Sequence, residues 1–139
     1  MGISDNELRM VQASLDRLRH DFDTRSMYFY ERLFQRAPHL KDMFRDDLAG
    51  QGMKFMSTLD AVVQKLDDEE QLASQYTGLG EMHAAIGVRA ADFAPMEEAL
   101  MDSMRDALGD DFSPELESAW RKAYAIVSGN MIRRGQISN

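Results

Sequence analysis

FYERLFQRAPHLKDMF, residues 29–44, changes structure twice within a short run. Phe29, Tyr30, Leu33 and Phe34 recur at the spacing that gathers side chains on one side of an α-helix, and the pattern extends back to Thr24. Pro38 has no backbone N–H and disfavours helical geometry in the residue before it, so a helix over about Thr24–Arg36 ends there. PHLKDMF then reads as a short turn of helix that leads into the polar corner RDDLAG, residues 45–50.

The same period organises the chain on both sides. Residues 4–20 open with Ser4-x-x-Glu7, the spacing of a capping box, and place Leu8, Val11, Leu15, Leu18 and Phe22 on one stripe. A long helix is expected near residues 51–66, with Phe55, Leu59, Val62, Val63 and Leu66 inward. DDEEQ, residues 67–71, reads as a solvated connector to a poor helix around residues 71–86, interrupted by Gly78 and Gly80. Residues 92–108 carry Phe93, Met96, Leu100, Met104 and Leu108 on one face and end at Gly109. The last helix is bracketed by Ser113 as cap, Pro114 at its first position and Gly135 past its end, with Leu116, Trp120, Tyr124, Val127 and Met131 as its buried stripe. No segment alternates with period two for long enough to be a strand, and no repeat or linker divides the chain. The expectation is one all-α domain over residues 1–139, with about seven helices of unequal length.

Composition narrows the function. A net charge of −8 opposes binding to nucleic acid or an anionic membrane, since both would repel it. No apolar run reaches membrane-spanning length, and MGISDNELRM lacks the basic start and apolar centre of a signal peptide. With no cysteine there is neither a disulfide framework nor a thiolate metal site, which fits a cytoplasmic location. The 11 methionines are pliable core filler, suited to packing around something bulky and equally to an ordinary core.

Three histidines remain to be placed. His20 closes the first helix, where a positive charge is favourable, and His39 follows a proline in a turn, as a surface residue would. His83, within GEMHAAIGV (residues 80–88), has Leu79 four positions before it and Ile86 three after, and so looks inward from an apolar face. One inward imidazole serves as a hydrogen-bonded core residue or as a metal ligand. Zinc would require further ligands that the chain does not offer, and no HExxH, Walker or GxSxG motif is present. A single imidazole suffices for haem, whose ring nitrogens leave the protein only the axial positions. Haem also needs an aromatic cleft, a distal pocket and a cation at its rim. On a helix starting near Gln51, that residue and Phe55 share one face, one turn apart, while Lys54 swings to the edge.

In this order and spacing the chain resembles the globins, in particular bacterial single-domain haemoglobins and the haem domains of flavohaemoglobins, over residues 5–134. FYERLF before a proline is similar to the family's second helix, which makes Tyr30 the distal tyrosine. Phe44, fourteen positions on, matches the phenylalanine that wedges against haem, and QGMKFM (51–56) resembles the start of the distal helix. The resemblance implies Gln51 as the distal amide, Lys54 as a propionate partner and Phe55 as the apolar residue over the iron. It implies His83, thirty-two residues after Gln51, as the proximal iron ligand. Leu79, Val88 and Phe93 join the haem contacts, and AWRKAYAIVSGNM (119–131) is similar to the final helix. Two departures stand out. Where flavohaemoglobins buttress the proximal histidine with a tyrosine and a glutamate, the matching positions hold Phe93 and Gly135, neither able to bond the imidazole. The chain also stops where flavohaemoglobins continue into reductase domains.

The fold implied is a globin fold packed around a pocket for one b-type haem. The function implied is reversible binding of O2, and of CO and NO, for oxygen binding or transport. An enzymatic alternative is nitric oxide dioxygenation with a separate reductase as partner. A haem-based gas sensor is a third, and a Met-rich helical interaction module is the alternative without haem.

Overall fold

The computed structural model describes residues 2–44 and 48–138, and among these residues it contains helices and turns but no strand. Six α-helices follow one another: α1 (Asp5–Leu18), α2 (Phe22–Arg36), α3 (Leu48–Gln64), α4 (Glu69–Ala85), α5 (Phe93–Leu108) and α6 (Pro114–Arg134). Short 3-10 turns lie at Arg19–Asp21, Pro38–Met43, Ala90–Asp92 and Gly109–Asp111. The expected seventh helix, PHLKDMF, is the second of these turns. Of the polar corner RDDLAG, residues 45–47 lie outside the described residues, and Leu48–Gly50 already belong to α3.

The helix ends obey local chemistry. Ser4 and Glu7 form a reciprocal capping box, with Ser4 Oγ accepting from the Glu7 N–H at 3.1 Å and Glu7 Oε1 from the Ser4 N–H at 2.9 Å. Ser113 Oγ accepts from the Leu116 N–H at 3.1 Å, with Pro114 at the first helical position. Ala37, before Pro38, leaves the helical region with ψ at 75° and ends α2. Two boundaries differ from the sequence expectation. Asp68 caps α4 through the Gln71 N–H, so Glu69 and Glu70 open that helix at its positive end and are not a connector. Phe22 begins α2 and does not continue α1, although it is buried as the stripe requires.

Packing fixes the layers. α2 lies against α5 and α3, while α6 lies against α4 and α1. The α2–α5 crossing is pinned by buried Arg25, which donates to the Ser103 carbonyl at 2.8 Å and to Asp106 at 3.1 Å, while Ser103 Oγ donates back to the Arg25 carbonyl at 3.1 Å. Between α1 and α6, the Trp120 indole N–H donates to Ser14 Oγ at 2.8 Å. The α2–α3 crossing is close because Gly52 has no side chain: a Cβ there would lie 2.7 Å from Ser26 Cβ. α4 runs unbroken through Gly78 and Gly80 and ends at Ala85, which leaves Ile86 outside it and exposed rather than on the face of His83. Among the described residues no helix is long and apolar enough to cross a membrane.

Candidate haem site

Aromatic rings from α2, α3 and the intervening turn meet in one cluster. Tyr30 on α2 is buried, with its ring edge-on to Phe44 at 5.0 Å and to Phe29 at 5.4 Å, and stacked with Phe34 at 5.9 Å. Phe29 in turn stacks on Phe55 of α3 at 4.7 Å. The Tyr30 side chain meets these rings and makes no hydrogen bond among the described residues, and burial pushes its pKa up to about 12. It therefore stays protonated at neutral pH and retains an unused donor.

Gln51 and Lys54, on the first turns of α3, are exposed, and their side chains make no hydrogen bond or ion pair among the described residues. Gly52 between them holds this end of α3 against Tyr30, since a Cβ there would stand 3.2 Å from the Tyr30 ring. The structure thus gathers Tyr30, Phe44 and Phe55 with Phe29 and Phe34, and leaves Gln51 and Lys54 at the open edge.

A second group forms around α4. His83 is half-buried, and its Nδ1 lies 2.7 Å from the Leu79 carbonyl oxygen. A carbonyl only accepts, so Nδ1 carries the hydrogen and Nε2 of the neutral ring keeps its lone pair. Phe93 lies beside the imidazole, ring centres 5.9 Å apart and planes tilted by 41°, and offers it no polar atom. Its backbone carbonyl accepts from the Tyr124 hydroxyl at 2.7 Å, and burial raises that phenol above the ordinary tyrosine range. Val88 is buried, its N–H donating to the His83 carbonyl at 3.0 Å across the corner that Gly87 turns with φ at +98°.

His39 is exposed in its turn, as expected, and also bridges two elements. Its Nε2 is 2.8 Å from Oδ1 of buried Asp92, whose Oδ2 accepts from the Arg89 N–H at 2.9 Å. Burial alone would raise the Asp92 pKa, but the Arg89 N–H and His39 outweigh it and hold the carboxyl below its usual range. The pair links the turn that leads to Phe44 with the turn that leads to Phe93. Sequence reading missed this pair, the Gly52–Ser26 approach and the Tyr124–Phe93 bond, because each joins residues far apart in the chain. His20 sits exposed in the turn after α1.

The donor set suits haem. Among the described residues no group of three or more His, Cys, Asp or Glu side chains is arranged to hold a metal ion. A single imidazole with a free Nε2, its other nitrogen fixed by a carbonyl, suits a metal that arrives with four ring nitrogens of its own. The half-buried Phe44, Phe55 and Leu79 supply apolar surface for a flat ring.

Comparisons with known proteins agree. The family description "Globin" matches residues 28–131. An engineered carbene transferase made from a candidate nitric oxide dioxygenase of Rhodothermus marinus superposes with a TM-score of 0.86 at 25% identity, covering 96% of this chain and 94% of that one. An anaerobic nitrite reductase of Oryza sativa subsp. indica is 28% identical over 89% of this chain and 90% of its own length, and a neuroglobin of Tetraodon nigroviridis is 28% identical over 94% and 91%. A flavohemoprotein of Chromobacterium violaceum is 26% identical over 94% of this chain but only 33% of its own length, so the likeness lies in one part of that protein. The chain belongs to the globin family, haem proteins that bind diatomic ligands.

Proposed function

We propose that the protein reversibly binds O2, and also CO and NO, at a single haem b held by Nε2 of His83, and that it serves oxygen binding or delivery in the cytoplasm. The haem, when bound, would supply an iron able to take a diatomic ligand. Tyr30 would donate a hydrogen bond to that ligand, and Gln51, exposed at the start of α3, would be the second donor. Phe44, Phe55, Leu79, Val88 and Phe93 would line the haem and keep water from it, and Lys54 would pair with a propionate.

The observation that carries this reading is buried Tyr30, whose hydroxyl is protonated at neutral pH and makes no hydrogen bond among the described residues. A hydrogen bond to a group that gains negative charge is worth about 1.5–3 kcal/mol. Tyr30→Phe should therefore speed O2 release by roughly 10- to 150-fold, measured by stopped-flow displacement with CO. An unchanged rate removes Tyr30 from the role.

Nitric oxide dioxygenation is the second reading, favoured by the structural likeness to an engineered form of a candidate nitric oxide dioxygenase. One NO, one O2 and one electron give nitrate, so sustained turnover requires a separate reductase. Steady consumption of NO with an added reductase supports it, and a single stoichiometric reaction supports binding alone.

A further inference from the structure

Two glycines lie where α4 meets the end of α6, and each excludes a side chain from the other. A Cβ on Gly80 would lie 2.8 Å from the Gly135 Cα and would strike the Met131 carbonyl oxygen. A Cβ on Gly135 would lie 2.5 Å from the Gly80 Cα. The atoms struck are backbone, which cannot rotate aside, and the Met131 carbonyl is further fixed by accepting from the Gly135 N–H at 2.8 Å. Backbone freedom does not explain either residue, since the glycines with positive φ are Gly87 and Gly109. Within α4 a glycine costs about 1 kcal/mol relative to alanine, so Gly80 is there for the close approach. Gly78 on α4 and Gly129 on α6 serve as contrasts, each with open space around its Cβ position.

The chain beyond this crossing returns to the same region. Gln136 turns it with φ at +54°, the Ile137 N–H donates to the Ile132 carbonyl at 3.0 Å, and the Ser138 carbonyl accepts from the Ala90 N–H at 2.9 Å. The segment 135–138 therefore touches α4 one turn before His83 and the Ala90–Asp92 turn seven residues after it.

We infer that Gly80 and the segment from Gly135 to Ser138 are positioning residues for His83, bracing the proximal side at both ends. The glycine crossing sets the depth at which α4 carries the imidazole, the Ala90 bond sets the corner that brings Phe93 beside the ring, and the Leu79 carbonyl sets the ring's rotation. The inference rests on the reading of His83 as the iron ligand.

The test uses the full chain loaded with haem. Gly80→Ala and Gly135→Ala are compared with Gly78→Ala and Gly129→Ala, reading the iron–histidine stretching band of the ferrous protein by resonance Raman and the rate of haem loss to a scavenging apoprotein. Both crossing variants should shift or broaden the band and lose haem about 10- to 100-fold faster, while both controls keep the unmodified band and rate. Folded crossing variants with an unchanged band overturn the inference. Should they fail to fold, hydrogen exchange on the unmodified haem-loaded protein decides. Amides of residues 80–83, Ala90 and 135–138 are then expected to open together, and independent opening overturns it. An unmodified protein with no iron–histidine band would sink the ligand assignment itself, which is a different result.

Discussion

Replacing Gly52 with alanine tests how the fold delivers Tyr30 to the site. The new Cβ would lie 2.5 Å from Ser26 Oγ, 2.7 Å from Ser26 Cβ and 3.2 Å from the Tyr30 ring. The hydroxyl can turn away at the loss of its bond to the Asp23 carbonyl, but Ser26 Cβ cannot. α2 and α3 must then part by roughly 1 Å to restore an ordinary carbon–carbon contact. Overpacking of this kind costs about 1–3 kcal/mol. Alanine regains about 1 kcal/mol of helix propensity, so the single substitution lowers stability by a net amount of up to about 2 kcal/mol. The double-mutant cycle is sharper. In a Ser26→Gly background the obstruction is gone, and Gly52→Ala should then stabilise by about 1 kcal/mol, giving a coupling of about 1–3 kcal/mol. Urea unfolding of the four proteins measures this, and O2 release from the haem-loaded forms reports whether Tyr30 has moved. Gly52→Ala with the same effect in both backgrounds would refute the crossing as described.

Two further outcomes follow from the ion pairs. Asp92, with its folded pKa held low, contributes stability that is present above the ordinary carboxylate range and is lost as pH falls through and below about 4. Asp92→Asn should therefore lower the unfolding midpoint at pH 7 and flatten its dependence on acid, in thermal melts from pH 3 to 7. Arg25→Met removes the donor to the buried Ser103 carbonyl, whereas Asp21 and Asp106 remain open to water. A loss of about 2–3 kcal/mol is expected in urea unfolding, and a loss below about 0.5 kcal/mol would show that the α2–α5 crossing does not depend on it.

Much of the fold is legible in local chemistry. Pro38, the Ser4–Glu7 box, the Ser113–Pro114 start and Gly109 each act within a few residues, so the sequence alone locates those helix ends. The start of α4 is not legible in that way, because an acidic run is compatible with a solvated connector until Asp68 is seen to accept from the Gln71 N–H. Nor is the continuity of α4, since two glycines weaken a helix and only the neighbouring α6 shows why one of them is needed. For the site, periodicity marks Tyr30, Phe55 and Phe93 as inward but does not say which rings meet. The roles of Gln51 and Lys54 came from family resemblance, as exposed side chains at a helix start carry no pattern of their own. The His39–Asp92 pair and the Tyr124–Phe93 bond depend on tertiary distance and left no trace in spacing.

The central claim is that Nε2 of His83 is the one side-chain atom through which the chain holds haem iron. His83→Gly, reconstituted with haem and examined in the ferrous state by absorption and resonance Raman, tests it most directly. Loss of the iron–histidine band, with its return on adding free imidazole, is the predicted result. A His83→Gly protein that binds haem with the unmodified spectrum would contradict it.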